Sequence, residues 1–139
     1  MRVFLDANVL FTAAHNPEGL SRLLFDLGRH KVLTLISSHL AVGEARANLR
    51  LKVPDRAPAL DPLVSQLQIV DTPALSAPVL KLPGDDQLIF GAALAARATH
   101  LLTGDKKHFG PHFEDPNRTG GITIQTVRAF FSDCFGLKV

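Results

Sequence analysis

The sequence predicts an α/β protein, a three-layer α/β/α sandwich around a mainly parallel sheet. Two observations predict it. Short apolar runs rich in β-formers alternate with segments of helical periodicity, in the order strand, helix, strand, helix, helix, strand, helix, strand; such alternation favours parallel strands joined by helical crossovers. Two of the runs also end in an acid: Asp6 follows Val3–Leu5, and Asp105 follows the segment LLTG. In open α/β sheets functional groups collect beyond the carboxyl ends of the strands.

Each element has its own signal. Val3 to Leu5 reads as a strand feeding a turn or a helix start at Asp6 and Asn8. After the break at Pro17, Glu18 and Gly19, the residues Leu20, Leu23, Leu24 and Leu27 repeat at helical spacing as far as Gly28. Val32 to Ile36 is a second β-rich run, and Ser37 or Ser38 can cap a helix carrying Leu40, Glu44 and Leu49. Between Lys52 and Pro83 stand Pro54, Pro58, Pro62, Pro73, Pro78 and Pro83, which prevent a long helix. A short helix from Ala59 to Leu67, with Pro62 in its first turn, and a short strand from Gln68 to Val70 are compatible with them. Asp85 or Asp86 is placed to cap an alanine-rich helix, Gln87 to Ala96. His100 to Thr103 and Ile122 to Ile124 are the remaining strands, followed by a helix from Val127 to Phe131.

Composition narrows the class. A chain of 139 residues suits one compact domain spanning residues 1–139, and 46% apolar with 20% charged residues argues against disorder. Cys134 is the only cysteine, which excludes an intrachain disulfide and a cysteine-rich zinc site. Asp6 interrupts the first apolar run before a signal-peptide core develops, and no stretch approaches the roughly 20 apolar residues of a membrane span. A soluble, cytoplasmic protein is expected. The net charge of +2, without a long basic tract, is only a faint pointer to nucleic acid.

The acids carry more information. Glu44 is one of only three glutamates, yet it falls on the apolar side of its helix, one turn beyond Leu40. Asp6, Asp86 and Asp105 sit at strand ends or a helix start, where all four can converge. Any one of these acids is explained as a turn residue or a cap. The four together point to a divalent cation that offsets their repulsion, because burying unpaired charge is costly.

The opening VFLDANVL resembles the first motif of the PIN domain family, with Asp6 as its leading acid, Asn8 as the supporting polar residue and Thr12 at a position often held by a small hydroxyl residue. SSHLAVGEARANL resembles the second motif and puts Glu44 at its acidic position. DDQLIFGAALAARATHLLTGDKKHF resembles the third block, in which Asp86 begins the helix, Thr103 precedes the turn and Asp105 is the terminal acid. Helical periodicity and motif spacing both favour Asp86 over Asp85. His108 stands where some relatives carry a further acid, a departure from the pattern. The resemblance extends from Arg2 to about Thr126. It implies a PIN-like fold and a metal-dependent ribonuclease acting on single-stranded RNA or a structured loop. It also implies the role of toxin in a toxin–antitoxin pair, with an antitoxin protein as partner, and a homodimer.

Hard carboxylate oxygens suit Mg²⁺ or Mn²⁺ better than zinc. On this reading Asp6, Glu44, Asp86 and Asp105 are the catalytic residues and metal ligands, and Asn8, Thr12 and Thr103 orient them. Arg46, Arg50, Lys106 and Lys107 are candidates for contacting the phosphate backbone, although a solvated charged surface explains the same residues. The six histidines form no compact ligand motif: His108 and His112 are four apart, but Gly110 and Pro111 oppose a regular helix between them. Phe90, Phe130, Phe131 and Phe135 read as packing residues. Two other classes of function stay open, a non-catalytic binding module that keeps an acidic pocket and a protein-interaction subunit built on its apolar helices.

Overall fold

The computed structural model describes residues 1–73 and 80–138. Its centre is a five-stranded sheet in the order β3-β2-β1-β4-β5, formed by β1 (Arg2–Leu5), β2 (Thr34–Ser38), β3 (Gln68–Val70), β4 (His100–Leu102) and β5 (Thr123–Gln125). Every pairing is parallel. Helices α1 (Ala7–His15), α2 (Leu20–Arg29), α3 (His39–Lys52), α4 (Leu60–Val64), α5 (Asp85–Ala95) and α6 (Val127–Phe135) flank it. Parallel strands buried on both faces read as continuous apolar runs, and Val3, Phe4 and Leu5 in the middle strand are fully buried. No described helix is long and apolar enough to cross a membrane.

The strand order places the site. From β1 the chain moves outward through β2 and β3, then returns to the other side of β1 for β4 and β5. The carboxyl ends of β1 and β4 therefore flank a topological switch point, where open α/β sheets form a crevice. Asp6 follows β1 directly, and Asp105 lies three residues beyond β4.

Several boundaries differ from expectation. Of the turn or helix start expected at Asp6 and Asn8, the structure has the helix: Asp6 is the N-cap of α1, which runs on to His15. β2 starts at Thr34 because Lys31 adopts positive φ and the amide of Val32 bonds back to Leu27, closing α2 with Val32 still exposed. The expected helix Ala59 to Leu67 shrinks to Leu60–Val64 behind a 3₁₀ turn, Pro54–Ala59, because the amides of Gln66 and Leu67 bond only three residues back, to Leu63 and Val64. Neither Asp85 nor Asp86 caps α5: Gly84, at φ 53°, is the N-cap, and both acids sit inside the first helical turn. There their charge still complements the positive end of the helix. The last helix runs on to Phe135 and stops at Gly136, in the left-handed conformation that favours glycine. Pro78, part of the proline-rich connection, lies outside the described residues.

Candidate active site

Asp6 is 4% exposed, and both of its carboxylate oxygens accept hydrogen bonds. One carboxylate oxygen accepts the Ala7 amide at 2.7 Å, the cap bond of α1. The other accepts the Thr103 hydroxyl at 2.8 Å and the Asn8 side-chain amide at 3.3 Å. Asn8 and Thr103 form a small frame around it. The Asn8 carbonyl oxygen accepts the Gly104 amide at 2.7 Å, its amide nitrogen reaches the Thr103 hydroxyl at 3.2 Å, and that hydroxyl accepts the Asp105 amide at 3.0 Å. A Cβ on Gly104 would stand 3.3 Å from the Asn8 side-chain oxygen, so glycine permits the close approach of the turn after β4 to the first turn of α1.

A cleft of about 290 Å³ opens beside this frame and is lined by Asp6, Glu44, Asp86 and Asp105. Four separate elements supply these acids: the end of β1, the middle of α3, the start of α5 and the turn after β4. Asp85 is exposed and does not line the cleft. A larger hollow of about 530 Å³, lined by Lys31, Thr34 and Gln68 among others, contains no carboxylate.

Crowding shows in the electrostatics. Burial raises the Asp6 carboxyl above its ordinary range, the Thr103 and Ala7 hydrogen bonds oppose that rise, and the charges of Asp86 and Asp105 add to it. Glu44 is raised by burial first, then by Asp6, Asp85 and Asp86. Asp86 is raised by burial and by its acidic neighbours, against the hydrogen bond and charge of His108. Carboxylates in this condition suit a bound cation, which would relieve both the desolvation and the repulsion.

The closest group of donors was not foreseen in full. His108 Nδ1 lies 2.6 Å from Asp86 Oδ2 and 3.1 Å from Asp105 Oδ2. One donor atom from each of the three residues falls within 4.8 Å of the others. The informative spacing is the three residues from Asp105 to His108. Asn48 and Lys52 also line the cleft, at steps of four from Glu44 along one face of α3, a row visible in the sequence.

The other expected residues divide. Asn8 and Thr103 support Asp6 directly. Thr12 lines the cleft, but its hydroxyl donates to the Asn8 backbone carbonyl at 2.9 Å and reaches no acid. Lys106, Lys107 and Arg50 are exposed and form no ion pair among the described residues. Arg46 is held by Asp61 at 2.7 Å, so it does not share the free surface charge of Arg50.

Comparison with known proteins agrees with this architecture. A family model described as PIN domain matches residues 2–107. Among solved structures, the chain resembles VapBC2 from Rickettsia felis bound to a DNA fragment from their promoter, with a TM-score of 0.63 and 20% identity over 91% of this chain and 98% of that one. It also resembles VapBC-1 from nontypeable Haemophilus influenzae, with a TM-score of 0.54 and 15% identity over 91% of this chain and 98% of that one. At these identities the likeness is one of fold. No curated protein matches the chain.

Proposed function

The chain belongs to the PIN domain family, and from that premise we propose that it is a metal-dependent endoribonuclease, the toxin half of a toxin–antitoxin pair. One observation carries the reading: four carboxylates from four elements line a single cleft at the switch point of the sheet. Capping α1 and joining β1 to β4 account for Asp6 alone; the convergence of Glu44, Asp86 and Asp105 beside it is best understood as a binding site. Asp86 and Asp105 would hold Mg²⁺ or Mn²⁺, with Asp6 and Glu44 completing the negative wall. When bound, the ion supplies an acidified water and charge stabilisation for the phosphate under attack.

The protein's own part is positioning. Thr103 and Asn8 hold Asp6 at a fixed angle, and Glu44, with no hydrogen-bond partner among the described residues, is free to orient a water or accept its proton. Lys52 lines the cleft beside Glu44, and Lys106 and Lys107 adjoin Asp105 on the surface. These cations suit the backbone of a single-stranded or looped RNA. The VapBC assemblies among the fold neighbours support an antitoxin protein as partner. We take the chain to be a single cytoplasmic domain that forms a homodimer.

Asp6→Asn and Asp86→Asn should each abolish Mn²⁺- or Mg²⁺-dependent cleavage of RNA while circular dichroism shows the fold retained. Unchanged cleavage in both variants would remove this active site from consideration. RNA bound but left intact by the wild-type protein across a range of divalent ions would mark the non-catalytic module instead.

A further inference from the structure

Within that reading of the cleft as a cation site, we infer that His108 is a direct nitrogen ligand, which turns an all-oxygen site into a mixed one and biases it towards Mn²⁺ and heavier transition ions over Mg²⁺. His108 Nδ1 is directed between Asp86 Oδ2 and Asp105 Oδ2, at 2.6 and 3.1 Å. Around an octahedral ion with donors at about 2.1 Å, neighbouring donors stand about 3.0 Å apart. The Asp105 separation matches that spacing, the Asp86 separation is shorter, and all three donor atoms lie within 4.8 Å of one another, so the same three atoms could open around a cation once the imidazole proton is released.

The backbone that carries the imidazole is also fixed. The His108 amide donates to Asp105 Oδ1 at 3.1 Å, and the Phe109 amide bonds to the Asp105 carbonyl at 3.2 Å. Phe109 itself is fully buried. Asp105 and His108 therefore form one rigid turn, with Phe109 anchoring it in the core and two ligand atoms presented to Asp86. A histidine serving only as a surface counter-ion would need no such support.

The chemistry gives direction to the preference. Mg²⁺ favours oxygen donors and gives up its water reluctantly, whereas imidazole is a good ligand for first-row transition ions. A nitrogen at this position adds affinity for Mn²⁺, and more for Co²⁺, while adding little for Mg²⁺.

The test uses the full-length protein and metal ions alone. Calorimetry should show that His108→Ala lowers Mn²⁺ affinity by about 10- to 100-fold, with a change of no more than about threefold for Mg²⁺. Pulsed electron paramagnetic resonance of the wild-type Mn²⁺ complex should show coupling to a directly bound imidazole nitrogen, lost in His108→Ala. His108→Asp, which restores an oxygen donor, should reverse the preference towards Mg²⁺. Mn²⁺ bound without nitrogen coupling, or an unchanged Mn²⁺ to Mg²⁺ ratio in the variants, would overturn the ligand role and leave the nuclease reading intact. Wild-type protein that binds no Mn²⁺, or binds it equally well after Asp86→Asn, would overturn both. Should His108→Ala fail to fold, the wild-type spectrum still decides.

Discussion

The Thr103 hydroxyl donates to the buried Asp6 carboxylate at 2.8 Å, across 97 residues of sequence. The bond joins the ends of β1 and β4 and is one of the two that oppose the effect of burial on Asp6. Thr103→Val keeps the shape and removes the donor. It should cost about 1.5–3 kcal/mol in denaturant unfolding at neutral pH, the range for a hydrogen bond to a charged group. Mn²⁺ affinity should fall roughly tenfold as Asp6 loses its orientation. Thr103→Ser should retain most of both.

Stability should depend on pH in a direction that the acids set. Asp6, Glu44 and Asp86 are all raised above their ordinary values of 3.8, 4.5 and 3.8, so the folded chain holds these protons more tightly than the unfolded chain. Their contribution is therefore fully present below those values and is lost as pH rises through the folded ones. Without divalent ions, Glu44→Gln should melt a few degrees higher than wild type near neutral pH, with the difference vanishing in acid. Mn²⁺ should raise the wild-type melting temperature near neutral pH and raise the variant's less. A wild type that is insensitive to Mn²⁺, or a variant destabilised at neutral pH, would contradict the electrostatic account.

Lys52 and Arg46, two of the basic groups of α3, should behave differently towards RNA. Lys52 lines the cleft, with its ammonium 5.8 Å from the centre of the Phe11 ring, whereas Arg46 is held by Asp61. If a single-stranded RNA follows the cleft, Lys52→Ala should lower the slope of log affinity against log salt by about 0.7, the value for one phosphate contact. Arg46→Ala should leave the slope nearly unchanged. Filter binding at several salt concentrations measures both, and an effect confined to Arg46 would move the path of the strand to the other face of the helix.

Removing the cap of α3 isolates its contribution to stability. Ser38 is fully buried, and its hydroxyl accepts the Ala41 amide at 3.2 Å. Ser38→Ala should cost about 1 kcal/mol in chemical denaturation. Ser38→Asp, which also caps well, would restore the bond only by burying a charge near the site and should be worse.

The fold was legible because its signals are local. β-rich runs, helical periodicity and acids placed just after strands can all be read within a dozen residues; the strands, Asp6 and Asp105 were legible that way, and Glu44 and Asp86 from their places on helices. What escaped depends on close tertiary approach or on competition between neighbours. Asp85 and Asp86 have the right chemistry for a cap, but Gly84, free to adopt positive φ, turns the chain one residue earlier. Arg46 and Arg50 look equivalent on a helix until Asp61, on α4, takes one of them. His108 reads as a gap in an acidic pattern, and only the approach of α5 to the turn after β4 makes it the link between two carboxylates. Asn48 and Lys52 were within reach, since steps of four from Glu44, a half-buried glutamate, follow one face of α3.

The frame of Asn8, Thr103 and Gly104 has a consequence for folding. Thr103 and Asp6 are 97 residues apart in sequence, so the brace exists only once β4 has docked beside β1. A chain in which β4 is still undocked has the leading acid without Thr103, Gly104 or Asp105, and so has no assembled cleft. Whatever the cleft binds therefore reports on the completed sheet and not on its first strand alone.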